Sequence, residues 1–380
     1  MEIFVFEAED AGTLRDRLGG RQFDFISVHG NVDAGLEPMG GHGAVHGATS
    51  CLGAMTHEGP TGGAAVFAID DPGGAYGSAL VPFEATTCES AAAEATRRAL
   101  AAADRLGERP EIVWVSATPG TEEEVLAGIE AVVGADIPVL GGSAADNAVA
   151  GEWYLFDGAS RTGAGVLVSV LFPSRPVSFA YQSGYSPSGH AGRVTRSDGR
   201  RVHEIDHRPA MEVYAEWTGG AVAPPPPGEK TAAILSDSTL WPLGREIDQV
   251  GSVPFYLLAH PAVAHTGGAM DLFATVETGE QLTLMTGTRQ GLIERAGRVA
   301  SLARATGPAG SGSPPLGALM IYCGGCMLSV RDRIGEVAET VAASLDGAPF
   351  LGAFTFGEQG SLLRAGNRHG NLMISCIVFH

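Results

Sequence analysis

The sequence predicts an α/β protein of two related halves, each a mixed β-sheet covered by helices. Three observations lead there. A unit of strand, capped helix, strand, glycine-bearing polar turn and further strand appears at least twice. The 54 glycines and a charged fraction of 18% suit many tight turns and buried strands. A chain of 380 residues also exceeds what one core comfortably holds.

The earlier copy reads Ile112-Val-Trp-Val115, a helix opened by Thr121-Glu-Glu-Glu124, Ile137-Pro-Val-Leu140, then Gly141-Gly-Ser-Ala-Ala-Asp-Asn147 and the strand Gly165 to Phe172. The later copy reads Ala318-Leu-Met-Ile-Tyr322, a helix opened by Ser329-Val-Arg-Asp332, Pro349-Phe-Leu351, Gly352 to Glu358, and the strand Asn371 to Phe379. Leu126, Ile129, Val132 and Val133 make an apolar face on the first helix. Ile334, Val337, Ala338, Val341 and Leu345 do so on the second. Thr121 with Glu124, and Ser329 with Asp332, have the spacing of a capping box. Strand, helix and strand at this spacing predict a crossover unit.

Upstream, Phe23 to Val28, Ala64 to Ile69 and Ser78 to Val81 read as short strands, and Ser90 to Leu106 as a helix closed by Gly107. Downstream, Gly192 to Asp206 reads as a hairpin around Asp198-Gly199, and Pro209 opens a helix through Trp217. The expected boundary lies near residue 206, giving domains 1–206 and 207–380. Pro224 to Pro227 is a stiff loop, and Gly307 to Pro315 a flexible connection.

Composition excludes several classes. A net charge of −19 leaves no basic surface for nucleic acid. No apolar run approaches the roughly 20 residues that cross a bilayer. The acidic start, Met1 to Asp10, lacks the basic region of an export signal, and five cysteines suit a reducing compartment, so a cytoplasmic location is expected. Neither a phosphate-binding glycine motif nor His-Glu-x-x-His is present.

The turn Gly141, Gly142, Ser143, Asp146, Asn147 gathers backbone amides, a hydroxyl, a carboxylate and a carboxamide, a set suited to a ligand with amine and carboxylate groups. Asp146 would pair with the ammonium. The same residues also suit a turn whose side chains bond their own backbone. Glu358 is a lone acid at the end of an apolar strand, either a ligand or inter-half contact or a solvated turn residue. Cys323-Gly-Gly-Cys326 at a strand-to-helix junction has the form of a redox pair. No second pair supplies zinc spacing, although His260 and His265 are potential ligands, and ordinary half-buried cysteines are the expected reading. Cys51 with His46 nearby is a weak nucleophile pairing. His46, His29 or Cys51 offers a single axial ligand for a non-covalent haem.

Gly47-Ala-Thr-Ser50 after a strand, Val139 to Asp146, the hairpin from Gly184-Tyr185 to Asp206 leading into Pro209 to Tyr214, and Gly352 to Glu358 with Asn371 together resemble the FIST family. Their order spans about residues 23–379. The resemblance implies a cytoplasmic signal-transduction module that binds a small ligand, an amino acid or related metabolite, and acts on a separate partner. Some stand-alone members look like haem-dependent nitric-oxide sensors of a histidine kinase. It places Thr49, Ser50, Thr355, Glu358 and Asn371 beside the glycine turn as ligand-binding residues. No resident cofactor, metal or catalytic group is expected. Two departures stand out: the family's Gly-Glu pair becomes Gly53-Ala54, and Asn31 to His42 is too short and glycine-rich for the helix expected there.

Overall fold

The computed structural model describes residues 1–83, 87–250, 253–307, 314–362 and 364–380, so most of the expected 307–315 connection lies outside the described residues. The protein is mixed α/β, and both expected copies have the same strand order. In the Ile112 copy, Gly165–Phe172 runs antiparallel to Ile112–Ala117, which runs parallel to Val139–Ser143. In the later copy, Met373–Phe379 runs antiparallel to Gly317–Cys323, which runs parallel to Phe350–Thr355. A first strand flanks each, Ala75–Pro82 in one and Val177–Ser183 in the other.

A third copy precedes them. Glu2–Ala8, Ala64–Asp70, Phe25–Gly30 and Ala44–Thr49 follow the same order and the same directions. Its second helix is reduced to a single 3-10 turn, Val32–Ala34, which accounts for the short Asn31 to His42 segment. In the last copy, residues 184–288 separate the first strand from its helix and form a further sheet of their own. That sheet packs on the helix Ala210–Trp217 around Val194, Met211, Tyr214, Leu243, Met270 and Leu284.

Each six-stranded sheet is completed by a hairpin from another copy. Ala54–Thr56 with Gly59–Thr61, from the first, pairs with Phe350–Thr355. Leu155–Phe156 with Arg161–Thr162, from the second, pairs with Ala44–Thr49. Glu358–Leu362 with Gly366–Gly370, from the last, pairs with Val139–Ser143. The exchange is cyclic.

Alternation along the strands explains the layers. Ile112 and Trp114 point into a central core shared by all three sheets, with Phe25, Phe67, Ile321, Leu351, Ile377 and Phe379. Val113, Val115 and Ala117 point outward under the helices Cys88–Ala102 and Glu122–Val133. Full burial of each large apolar side chain contributes about 1.5–3 kcal/mol.

Two expected caps are corrected. Thr121 makes no side-chain cap bond; its hydroxyl donates to the carbonyl of Thr118. Ser329 ends a short helix, Gly324–Ser329, and the apolar stripe lies on a separate helix, Ile334–Ser344, with Arg333 at its N-cap. The Ser329 hydroxyl bonds back to the Gly325 carbonyl, satisfying a helix end instead of opening one.

Candidate functional site

The second parallel strand of each copy ends on a hydroxyl residue: Thr49 opposite Gly30, Ser143 opposite Ala117, and Thr355 opposite Cys323. Beside the last two lies a cavity of about 610 Å³, lined largely by apolar side chains. The strand ends contribute Cys323, Thr355 and Phe356; Asn371 precedes the returning strand. Residues 119–122 and the loop with Val149 and Trp153 form one wall. The sheet of residues 184–288 forms the other, with Arg200, Leu235, Thr239, His260, Leu272 and Phe273.

The charged end of the cavity is a pair that sequence reasoning missed. Arg200 donates to Glu122 at 2.8 Å and to Glu123 at 2.6 Å. Glu122 also accepts from the Ser143 hydroxyl at 2.6 Å and from the Gly120 N–H. Burial alone would raise the Glu122 carboxyl; nearby His369 and Arg200, with the Ser143 hydroxyl, outweigh it, so its pKa is lowered and it carries charge. Gly357 permits this approach, because a Cβ there would lie 2.5 Å from the Glu122 carboxylate. Glu123 accepts from the Thr275 N–H and from His369. Glu122, Glu123 and His369 bring ligand atoms within 4.8 Å of one another, as a metal would require. The Arg200 guanidinium is bonded to both carboxylates and supplies the positive charge there.

The signals existed but pointed elsewhere. Glu122 was absorbed into a helix-cap reading, and Arg200 is an ordinary residue of a hairpin turn. Nothing in local sequence relates the first turn of a helix to a hairpin turn nearly eighty residues on.

Of the expected ligand residues, Thr355 and Asn371 line the cavity. Ser143 acts one step back, through Glu122. Asn371 accepts from the His260 N–H at 3.0 Å and contacts His369 at 3.3 Å. Glu358 lies beneath, accepting from the Thr355 hydroxyl at 3.2 Å and the Met373 N–H at 3.1 Å. It is wholly buried, and burial holds its carboxyl well above the ordinary range despite these donors. It is therefore neither a solvated turn residue nor part of the cavity lining; its strand pairs with Val139–Ser143 of the other half. Gly141 and Gly142 pair with the Glu358 hairpin, and a Cβ at Gly142 would strike Thr355 at 2.5 Å.

The remaining expectations are corrected. Asp146 does not face the cavity. Its carboxylate accepts the N–H groups of Ala148, Ala150, Gly151 and Glu152 at 2.7–3.0 Å, and these bonds outweigh burial and lower its pKa. Asn147 accepts from the Leu52 N–H and donates to Asn31. Thr49 exchanges bonds with the backbone of Tyr154, and Ser50 bonds Gly53 and Phe354. Asn147, Thr49 and Ser50 thus join copies to one another, while Asp146 bonds only within its own loop.

His46 has no ring nitrogen free for an axial bond. It is fully buried, its ring nitrogens bonded to Ser169 at 2.8 Å and Ser116 at 2.9 Å. His29 bonds Ser27 and stacks edge-on to Trp114 in the same inter-sheet cluster. Cys51 is buried, its thiol pushed up to about 12 by burial and by Asp146. Cys323 caps the N-terminus of Gly324–Ser329, but burial, with Cys326 beside it, pushes its thiol well above the ordinary value. Cys326 is buried against the Tyr185 hydroxyl at 3.6 Å.

A FIST N domain matches residues 25–208 and a FIST C domain residues 210–361. The chain belongs to the FIST family. FIST domains are associated with signal-transduction sensors that bind small ligands. No curated protein matches this FIST chain in sequence. Among solved structures, the cyanuric acid hydrolase from A. caulinodans is similar over 100% of this chain and 99% of that one, at 11% identity and a TM-score of 0.35. At that score nothing about activity follows for the FIST protein. No helix among the described residues is long and apolar enough to cross a membrane.

Proposed function

We propose that this FIST protein is a cytoplasmic sensor that binds an amino acid or similar metabolite in the cavity and acts on a separate signalling protein. The observation that carries the reading is the pairing of one charged end with an apolar wall. Arg200 offers donors to a ligand carboxylate, and Glu122 beside it offers an acceptor to an ammonium. Leu235, Leu272, Phe273, Leu328, Phe356 and Trp153 receive an apolar body. A cavity of about 610 Å³ is of the size that encloses metabolites.

The test is a thermal-shift screen of the twenty amino acids and their deaminated acids, followed by calorimetric titration of the best stabiliser. Binding without turnover is expected, and Arg200→Ala should weaken it at least tenfold, about 1.4 kcal/mol. The variant should still fold, since Arg200 is partly exposed and Glu122 keeps the Ser143 hydroxyl and the Gly120 N–H. A screen in which no compound raises the melting temperature, or an Arg200→Ala protein that binds as tightly as the wild type, rejects the reading.

A further inference from the structure

Val149 stands on the cavity wall in a backbone conformation that valine ordinarily avoids. Its φ is 56°, in the left-handed region, where the branched Cβ crowds its own backbone. Among the described residues other than glycine with positive φ, it is the β-branched one. Two residues on, at φ 86°, the same loop places Gly151, which adopts that region freely.

The side chain gains nothing from the core in return. Val149 is 48% exposed, and Leu328, also on the cavity wall, is 45% exposed. Together they make an apolar rim at an opening whose interior is apolar. The loop is nevertheless fixed, because the buried Asp146 carboxylate holds the N–H groups of Ala148, Ala150, Gly151 and Glu152. An unfavourable conformation, a rigid clasp that imposes it and an apolar side chain left at a cavity mouth are separate observations. They share one explanation, which is contact with something that enters the cavity.

We propose that Val149 is a specificity-determining contact: it selects ligands whose charged head lies at the Glu122–Arg200 pair and whose apolar body is long enough to reach the rim. The inference rests on the ligand reading of the cavity given above. It narrows the ligand class to amino acids with large apolar side chains, with short or polar ones excluded because they leave the rim exposed to water.

The experiment is titration calorimetry of L-phenylalanine, L-leucine and L-alanine against wild type, Val149→Gly and Arg200→Ala, with a melting curve for each protein. Wild type should bind phenylalanine or leucine at least tenfold more tightly than alanine. Val149→Gly should reduce that preference at least fivefold, while its melting temperature stays level or rises, since glycine relieves the strained φ and its greater unfolded-state freedom offsets only part of the gain. Unchanged selectivity in Val149→Gly overturns the inference and leaves the ligand reading intact. A Val149→Gly melting temperature several degrees lower also overturns it, because the valine would then be kept for folding. No binding of any of the three amino acids by the wild type overturns the inference, and Arg200→Ala measured against other stabilisers from the screen then decides the ligand reading separately.

Discussion

At the scale of single residues, the most instructive is Asp146, whose carboxylate organises a loop instead of meeting a ligand. Four backbone N–H groups converge on it from one short stretch. Asp146→Ala should therefore act on stability first. Leaving several of those donors without a partner costs about 2–4 kcal/mol, and the melting temperature should fall by several degrees. Asp146→Asn keeps an acceptor oxygen and should recover part of the loss. A variant as stable as the wild type would show that water replaces the carboxylate readily. Sequence alone had both readings of Asp146 in view, and nothing local chooses between them, since an acid after Gly-Gly-Ser-Ala-Ala suits a ligand as well as a turn. Thr355 and Asn371 were legible as site residues only through the family resemblance; in the structure each lies at or beside an end of an apolar strand. Glu122 was not legible, because its role depends on Arg200, a hairpin residue far from its helix in the chain.

Secondary-structure elements were largely legible, their partners were not. The nearly unbroken apolar run of Ile112 to Ala117 follows from burial on both faces of the sheet, and the apolar stripe of Ile334 to Leu345 from burial on one side of a helix. The pairing of Glu358–Leu362 with Val139–Ser143 joins segments far apart in the chain, and no local signal encodes it. Where sheets meet, the inner faces carry His29 and His46 among Ser27, Ser116 and Ser169, a polar cluster in the core that alternation alone would not forecast. Burial pushes His29 down to about 3, His260 down to about 4, and His46 well below its usual value. These imidazoles stay neutral in the folded state while the unfolded chain takes up protons below about pH 6.5. Their contribution is thus complete above that pH and is lost as pH falls toward the folded values, each approaching about 1.4 kcal/mol per pH unit. Glu358 has the opposite sign: its raised pKa means that stability is gained as pH falls toward the ordinary carboxylate value. Urea unfolding between pH 7.5 and 5.0 should show a net loss on acidification, since three buried histidines oppose one buried acid. Glu358→Gln, which removes the offset, should show a steeper one. A flat profile in the variant would mean that the buried histidines take protons without unfolding.

For the whole molecule, the decisive feature is that no copy of the repeat completes its own sheet. The family models divide the chain at 208 and 210, and the sequence suggests a boundary near 206. The sheets cross that line three times. The Ala54–Thr56 hairpin reaches Phe350–Thr355, the Glu358–Leu362 hairpin reaches Val139–Ser143, and Val177–Ser183 pairs along its length with Met373–Phe379. Phe25, Phe67, Trp114 and Leu140 close their core against Ile321, Leu351, Ile377 and Phe379. The N-terminal copy escaped the sequence because its second helix is one 3-10 turn, while residues 184–288 interrupt the last, so the copies differ in length where their strands agree. A segment of residues 1–206 alone should then expose one face of the central core and leave three strand edges unpaired, which favours association over folding. Expressed by itself, it should aggregate or bind a hydrophobic dye without a cooperative melt, whereas the full chain should unfold all three sheets in one transition. Adding the separately expressed 207–380 segment should restore a single cooperative melt, because cyclic exchange makes each part the template for the other. A soluble, monomeric 1–206 segment with its own sharp transition would show that the central core closes without the C-terminal strands, and that the exchanged hairpins join domains already able to fold independently.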